Sequence, residues 1–205
     1  MKGGIPSPLH NPPMRVDTLA WGFVCRLRAQ KHASRVWSLT ISRRSRPSEL
    51  NPQIQYEPLA QEELLICTCR GHPLSRFARE NPASPYPKLE LGLLRNEKII
   101  MMRPQQRTRQ IMDGILRREG IGFENVLYTG NLPAIMELVA LGYGVSFVHE
   151  SHLRYRAGER PIDCYSFGEP RTVSEFVAAS RKGSYISRYA QDFIEIVKRQ
   201  VTGSE

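Results

Sequence analysis

The stretch from Lys98 to Val148 constrains the fold most, because short apolar runs alternate there with helical patterns. KIIMM, ENVLYT and VSFV are strand-like runs, and the segments between them carry apolar residues at the three- and four-residue spacing of an amphipathic helix. This order, β-α-β-α-β, predicts a parallel, doubly wound sheet and an α/β fold class. The helical stripes consist of Ile111, Met112, Ile115 and Leu116, and of Leu132, Ile135, Met136 and Val139.

Capping residues mark where the two helices begin and end. Thr108 is expected to cap the first helix, and Asn131 to cap the second, with Pro133 in the first turn where proline is tolerated. Gly120 and Gly142 are expected at the carboxyl ends, since glycine adopts the positive φ of a tight turn.

Flanking elements extend this core in both directions. The sequence IQYEPLAQEELLICTC predicts a short extended piece, a polar turn at Gln61-Glu62 and a buried strand from Leu64 to Cys67. TVSEFVAA predicts a further strand. A last helix is expected from after Gly183 to about Val201, with Ile186, Tyr189, Ala190, Phe193 and Val197 on its packed face.

The net charge of +9 is concentrated in the first 48 residues, which carry nine Lys/Arg and the single acid Asp17. The remainder is close to neutral, so its charge does not indicate nucleic-acid binding. The head, residues 1–48, is rich in Pro, Gly, Arg and Ser and is expected to be poorly ordered. A basic-aromatic surface around Trp21 and Trp37, and a transit peptide, are the functional alternatives.

Several function classes lack their sequence signals. The four cysteines form no paired framework, which favours a reducing cytoplasm, and no run reaches the ~18 to 20 apolar residues of a membrane helix. The chain has no phosphate-binding loop, no nucleophile elbow and no zinc-protease motif. We therefore expect a cytoplasmic protein that is not an enzyme, has no cofactor or metal and does not bind membranes.

Four segments, in order, resemble the effector-binding domain of LysR-type transcriptional regulators. They are EELLICTCRGHPLS, LRNEKIIMMRPQQRTRQIMDGILRREGI, TGNLPAIMELVALGYGVSFVHESHL and the last helix, within residues 54–201. The resemblance implies a periplasmic-binding-protein-like fold of two α/β lobes with a small-molecule effector in the cleft between them. It implies a partial first lobe at 49–80 and 166–202 and a complete second lobe at 81–165.

The same resemblance implies a role in transcription, with DNA contacted only through a helix-turn-helix, and pairing of effector domains into a homodimer. No helix-turn-helix pattern precedes residue 54, and a wrong start site or a frameshift is the favoured explanation for the head. A transport-type solute-binding protein of the same fold is the alternative function. An enzyme on this fold is disfavoured because no acid-base constellation is visible.

The predicted site is an anion-binding crevice at the carboxyl ends of the parallel strands. Ligands of doubly wound sheets bind at that edge, where helix N-termini supply free N–H groups and a partial positive charge. This geometry predicts a small anionic organic effector, with nearby arginines adding bidentate contacts. The candidate residues are Thr68, Arg103, Gln105, Arg107, Thr108, Thr129, Gly130, Asn131, Phe147, Val148 and His149.

Overall fold

The computed structural model describes residues 15–19, 24–31, 35–44, 51–153 and 160–202. Within these ranges it contains nine strands and three α-helices. The strands are β1 (Arg15–Leu19), β2 (Val24–Lys31), β3 (Arg35–Arg44), β4 (Ile54–Cys69), β5 (Ile99–Met102), β6 (Val126–Thr129), β7 (Val145–His149), β8 (Ile162–Tyr165) and β9 (Val173–Arg181). The helices are α1 (Arg107–Glu119), α2 (Leu132–Ala140) and α3 (Arg188–Thr202), and short 3-10 turns lie at Pro73–Phe77, Leu91–Leu94 and Glu150–His152.

Strand β4 connects the two halves of the molecule. The strands run in the order β1-β2-β3-β9-β4-β7-β5-β6, and β8 also pairs with β4. The first part of β4, Ile54 to Glu63, pairs with β9, whereas Leu64 to Cys67 pair with β7. One long strand therefore belongs to both lobes.

The turn predicted at Gln61-Glu62 is wrong. β4 continues through this point, with only a register shift between Pro58 and Ala60. β9 pairs with Gln61, Glu62 and Glu63, and Leu64 N donates to Thr172 O at 2.9 Å. The extended conformation persists because this pairing satisfies backbone N–H and C=O groups that a turn would otherwise have to satisfy.

The predicted β-α-β-α-β unit is confirmed. β5 pairs in parallel with both β6 and β7, and β7 is antiparallel to β4. Residues alternate between the two faces of this sheet: Ile99 and Met101 pack under α1, while Ile100 and Met102 pack under α2. Each helix therefore covers one face, and β5 and β7 are buried on both sides.

Helix ends agree with the sequence in part. Asn131 caps α2 as predicted, its Oδ1 accepting from Ala134 N at 3.1 Å, and Gly142 follows that helix with φ +77°. The cap predicted at Thr108 is wrong, because α1 begins earlier and Gln106 is its N-cap. Thr108 is turned into the protein and buried.

The first-lobe sheet is antiparallel and is covered by α3. Ile194 of that helix packs on Phe176, Leu59 and Ile41. Tyr189 was predicted on the packed face of this helix, but it is 62% exposed. The side of α3 that faces the sheet is centred on Ile194, and Tyr189 lies outside it.

The head contributes three strands to the described structure. β1, β2 and β3 pair in antiparallel succession, and β3 pairs with β9. Residues 1–14, 20–23, 32–34 and 45–48 of the head lie outside the described residues, as does Trp21. The expectation of a poorly ordered head therefore stays a prediction, and so do the lobe boundaries at 49–80, 81–165 and 166–202.

In the part of the chain that the structure describes, no helix is both long and apolar enough to cross a membrane.

Candidate functional site

The carboxyl ends of β5, β6 and β7 lie at one edge of the second-lobe sheet. β5 is the middle strand of the three, so the loops after β5 and β6 are neighbours. These loops lead into α1 and α2. Two helix N-termini therefore lie at the same edge, as the sequence predicted.

One side chain ties these two loops together. Gln106 Oε1 accepts from Arg103 N at 3.0 Å, and Gln106 Nε2 donates to Gly130 O at 3.3 Å. Gln106 was not among the predicted residues, because the sequence does not indicate which of two adjacent glutamines faces the neighbouring loop. The bridge fixes the spacing of the predicted crevice.

Arg103 lies across the same crevice. A methyl group placed on Gly130 would be 3.6 Å from Arg103 Nε, so the guanidinium passes over that glycine. Among the described residues, no carboxylate lies within salt-bridge distance of Arg103. Its charge is exposed beside two helix N-termini.

Both helix N-termini suit an anion. The first turns of α1 and α2 contain no acidic residue, and no side chain caps α1. At α2, Thr129 Oγ1 accepts from Asn131 N at 3.2 Å, which shapes the loop before the cap. The uncapped N–H groups of α1 and the helix dipoles favour negative charge.

The other arginines of this region are held by protein partners. Arg109 Nε donates to Asp113 Oδ1 at 2.6 Å, and its guanidinium lies 4.9 Å from the Tyr128 ring centre. Burial by itself would lower the pKa of Arg109, but hydrogen bonds to Asp113 and Tyr128 raise it above its usual value. Arg107 Nη1 donates to Gln110 Oε1 at 3.3 Å. Gln105 is exposed in the loop before α1.

Four predicted residues lie in the core instead of on the crevice surface. Phe147 packs between Phe123 and Phe167, at ring distances of 6.2 Å and 5.8 Å. Val148 packs under α2. His149 and Thr108 are likewise buried. The strand-end position was identified from the sequence, but the side-chain directions were not.

Thr68 is separated from the crevice. Leu64 is paired with His149 and Cys67 with Ser146, so Thr68 lies at the opposite end of the strand array. It pairs with Asp163 of β8 and is fully buried. Thr68 therefore does not reach the crevice, because β4 runs away from the carboxyl ends of the parallel strands before it reaches this residue.

A buried polar cluster at the lobe junction was missed. Glu62, Glu63 and His149 are all buried where β4 passes from one lobe to the other. His149 Nδ1 lies 3.2 Å from Ser174 Oγ and 3.9 Å from Glu62 Oε2. The sequence indicated a polar turn at Gln61-Glu62, and only the tertiary partners reveal why Glu62 and Glu63 are buried.

Glu63 binds two different segments. Its Oε2 accepts from Ser84 Oγ at 2.8 Å and lies 3.6 Å from Arg171 Nη1. Nearby, burial and the charge of Glu150 raise the pKa of Tyr86 to about 12. Glu63 therefore holds two segments at the lobe junction: the loop that contains Ser84 and the segment before β9 that contains Arg171.

A groove of about 540 Å³ lies away from the strand ends. It is formed by α1, including Ile111 and Ile115, and by the chain from Phe167 to Val173. None of the predicted effector residues lines it. We assign the candidate site to the strand ends because helix N-termini and an exposed arginine converge there, whereas the charged residues of the groove have both signs.

Comparison with known proteins assigns the family. A model described as the LysR substrate binding domain matches residues 39–202. The HTH-type transcriptional regulator SoxR of Arthrobacter sp. (strain TE1826) is 24% identical over 149 residues, which is 72% of this chain and 46% of that protein. The chain thus spans about half the length of this curated relative.

Solved structures share the fold. The Synechocystis PCC6803 CcmR regulatory domain, in complex with 2-PG, has a TM-score of 0.60 and 21% identity, with 80% of this chain and 74% of that chain covered. The effector-binding domain of QuiR, in complex with shikimate, has a TM-score of 0.57 and 22% identity, covering 80% and 72%. Full-length BenM has a TM-score of 0.59 and 18% identity, covering 80% and 50%. The periplasmic-binding-protein-like fold predicted from the sequence is confirmed.

The family is one of transcription regulators, not of enzymes, and its model matches most of the chain, including the crevice and the lobe junction. This chain belongs to the LysR family and carries its effector-binding domain.

Proposed function

We propose that this domain senses a small anionic metabolite in the cytoplasm and thereby controls transcription. The anion binds at the edge formed by the loops after β5 and β6. The observation that carries the proposal is the pair of helix N-termini bridged by Gln106, with the unpaired Arg103 guanidinium beside them. The transcriptional family favours this role over the transport alternative.

Binding at this edge requires little reorganisation of the protein. Gln106 holds the two loops at a fixed spacing, and the Asn131 cap fixes the start of α2. An anion here would accept hydrogen bonds from backbone N–H groups of α1 and from the guanidinium group of Arg103. Two related domains that were solved with 2-PG and with shikimate support a ligand of this size.

A thermal-shift screen tests the proposal. The probes are small mono- and dicarboxylates and phosphorylated acids, each added to the purified chain. A ligand of the folded state raises the unfolding midpoint by mass action, so a compound of this class should produce a concentration-dependent increase. If no anion in the panel raises the midpoint, the proposal is wrong.

Two variants locate the binding site for an anion identified in this way. Arg103→Ala should weaken its binding by about tenfold or more, because a charge-assisted hydrogen bond is lost. Arg95→Ala removes an exposed arginine of the turn before β5 and should leave the affinity unchanged. Equal affinities of the two variants would place the anion elsewhere.

We also propose that effector domains pair through the β6 edge. Among the strands that the structure describes, β6 pairs with β5 alone, and its Leu127 and Tyr128 are 45% and 51% exposed. An unpaired apolar edge favours association with another strand or helix. Sedimentation should show a dimer that Leu127→Lys converts to monomer, and a wild-type monomer at all concentrations would contradict this.

A further inference from the structure

Two thiols face each other across the β4–β8 pair. Cys67 and Cys164 are directly opposite in the antiparallel register, and their Sγ atoms are 3.4 Å apart. Directly opposed residues of antiparallel strands have Cα atoms about 4.5 to 5.5 Å apart, which overlaps the range that a disulfide spans. A bond between these sulfurs therefore needs only a small approach of the side chains.

The two thiols differ in access. Cys67 is fully buried against the α2-side core, whereas Cys164 is partly exposed at its edge. Cys69 lies two residues along β4, where it pairs with Ile162, and is also partly exposed. A small oxidant can therefore reach Cys164 from solvent. Cys67 is shielded from direct oxidation because it is buried.

We propose that Cys67 and Cys164 are a redox modification site that takes a small peroxide as its oxidant. The Cys164 sulfur attacks a peroxide oxygen, the O–O bond breaks, and Cys164 becomes a sulfenic acid with release of water or an alcohol. The Cys67 sulfur then attacks the Cys164 sulfur, the S–O bond breaks, and the hydroxyl leaves as water with the Cys67 proton. The two thiols lose two electrons, which reduce the peroxide.

The bond would join the two segments that carry the chain between the lobes. β4 leads into the second lobe, and β8 precedes β9, which returns to the first-lobe sheet. The two cysteines are 97 residues apart in sequence. Their linkage closes a long loop, which restricts the unfolded chain and fixes β8 on the connecting strand.

Peptide mapping tests this site. The full chain is treated with a stoichiometric amount of hydrogen peroxide, free thiols are blocked, and tryptic peptides are analysed by mass spectrometry. The expected product joins the peptides of Cys67 and Cys164, with the loss of two hydrogens, and reverts with dithiothreitol. The oxidised chain should also unfold at a higher temperature than the reduced chain.

Variants identify the sulfurs, because Cys67 and Cys69 lie on one tryptic peptide. Cys69→Ser should keep the linkage, whereas Cys67→Ala and Cys164→Ala should each abolish it. Circular dichroism establishes that each variant is folded before treatment. A linkage that survives in folded Cys67→Ala, a linkage through Cys25, or overoxidation of Cys164 without any linkage would overturn the proposal.

Discussion

Gly144 shows how closely the backbone segments approach within the second-lobe sheet. A Cβ atom at this position would lie 2.4 Å from Lys98 O, and Val145 N donates to that same oxygen at 2.8 Å. The start of β7 can pair there only if residue 144 has no side chain. The sequence indicated a tight turn, but this contact with another strand was not predictable from it.

Gly144→Ala should lower the free energy of unfolding by about 3 kcal/mol, because the methyl group overlaps a backbone oxygen that cannot move independently. Gly122→Ala is the matched control, since a Cβ there meets no atom within 4 Å. Urea unfolding followed by circular dichroism measures both. Equal stability of the two variants would contradict the close approach.

Tyr86 should make stability sensitive to alkaline pH. Burial and the charge of Glu150 raise its pKa from 10.0 to about 12, so the folded state holds the phenol proton more tightly than the unfolded state. This contribution is fully present below pH 10.0 and is lost as the pH rises toward 12.

Tyrosinate absorbance of the folded protein measures this effect. Tyr86→Phe should remove one late-titrating phenol, and its stability should decline less between pH 10 and 12. Tyr165→Phe is a useful comparison, because burial raises the pKa of that phenol too. An unchanged titration curve in Tyr86→Phe would show that another tyrosine titrates late.

At the scale of elements, α3 covers the first-lobe sheet through a narrow stripe. Ile194 is 3% exposed and packs on Phe176 and Leu59, whereas Ile196 on the same helix is 58% exposed. The two isoleucines are two residues apart in the same helix, but one is buried and the other is exposed. The same substitution at both positions therefore changes helix propensity equally, and any difference in stability reports the effect of burial.

Ile194→Ala should cost about 3 kcal/mol of unfolding free energy, because it removes buried methyl groups and leaves a cavity. Ile196→Ala should change the stability by less than about 0.5 kcal/mol, as expected for an exposed site. Chemical denaturation of the two variants measures the difference. Comparable losses would indicate that α3 packs in another rotation.

At the scale of the whole molecule, β4 should make unfolding a single cooperative transition. The strand pairs with β9 in the first lobe and with β7 and β8 in the second. Loss of either sheet therefore exposes backbone groups of the other. The expectation follows from the length of this one strand.

Two probes test the coupling. Trp37 lies in β3 of the first-lobe sheet, and in a Trp21→Phe variant its fluorescence reports on that region alone. Reactivity of the buried Cys67 thiol reports on the second lobe. The two unfolding midpoints in urea should coincide. Separate midpoints would mean that the lobes unfold independently.

Much of this architecture is determined locally. The spacing of Ile111, Ile115 and their neighbours predicted α1, and the Asn131 cap and Gly142 predicted the bounds of α2, because capping and periodicity depend on nearby residues. The parallel order of β5, β6 and β7 followed from their alternation with helices. These signals also identified the sheet edge at which the candidate site lies.

The remaining features depend on contacts between distant segments. β4 continues through Glu62 and Glu63, where Ser84, Ser151 and Arg171 supply partners for the buried acids. The direction of Gln106, the burial of His149 and the meeting of Cys67 with Cys164 likewise depend on strand register. The sequence alone determined α1, α2 and the order of the strands between and around them, since those rest on local energetics. Only the tertiary structure decided which side chains face one another, because pairing across 24 to 97 residues is set by packing of the whole sheet.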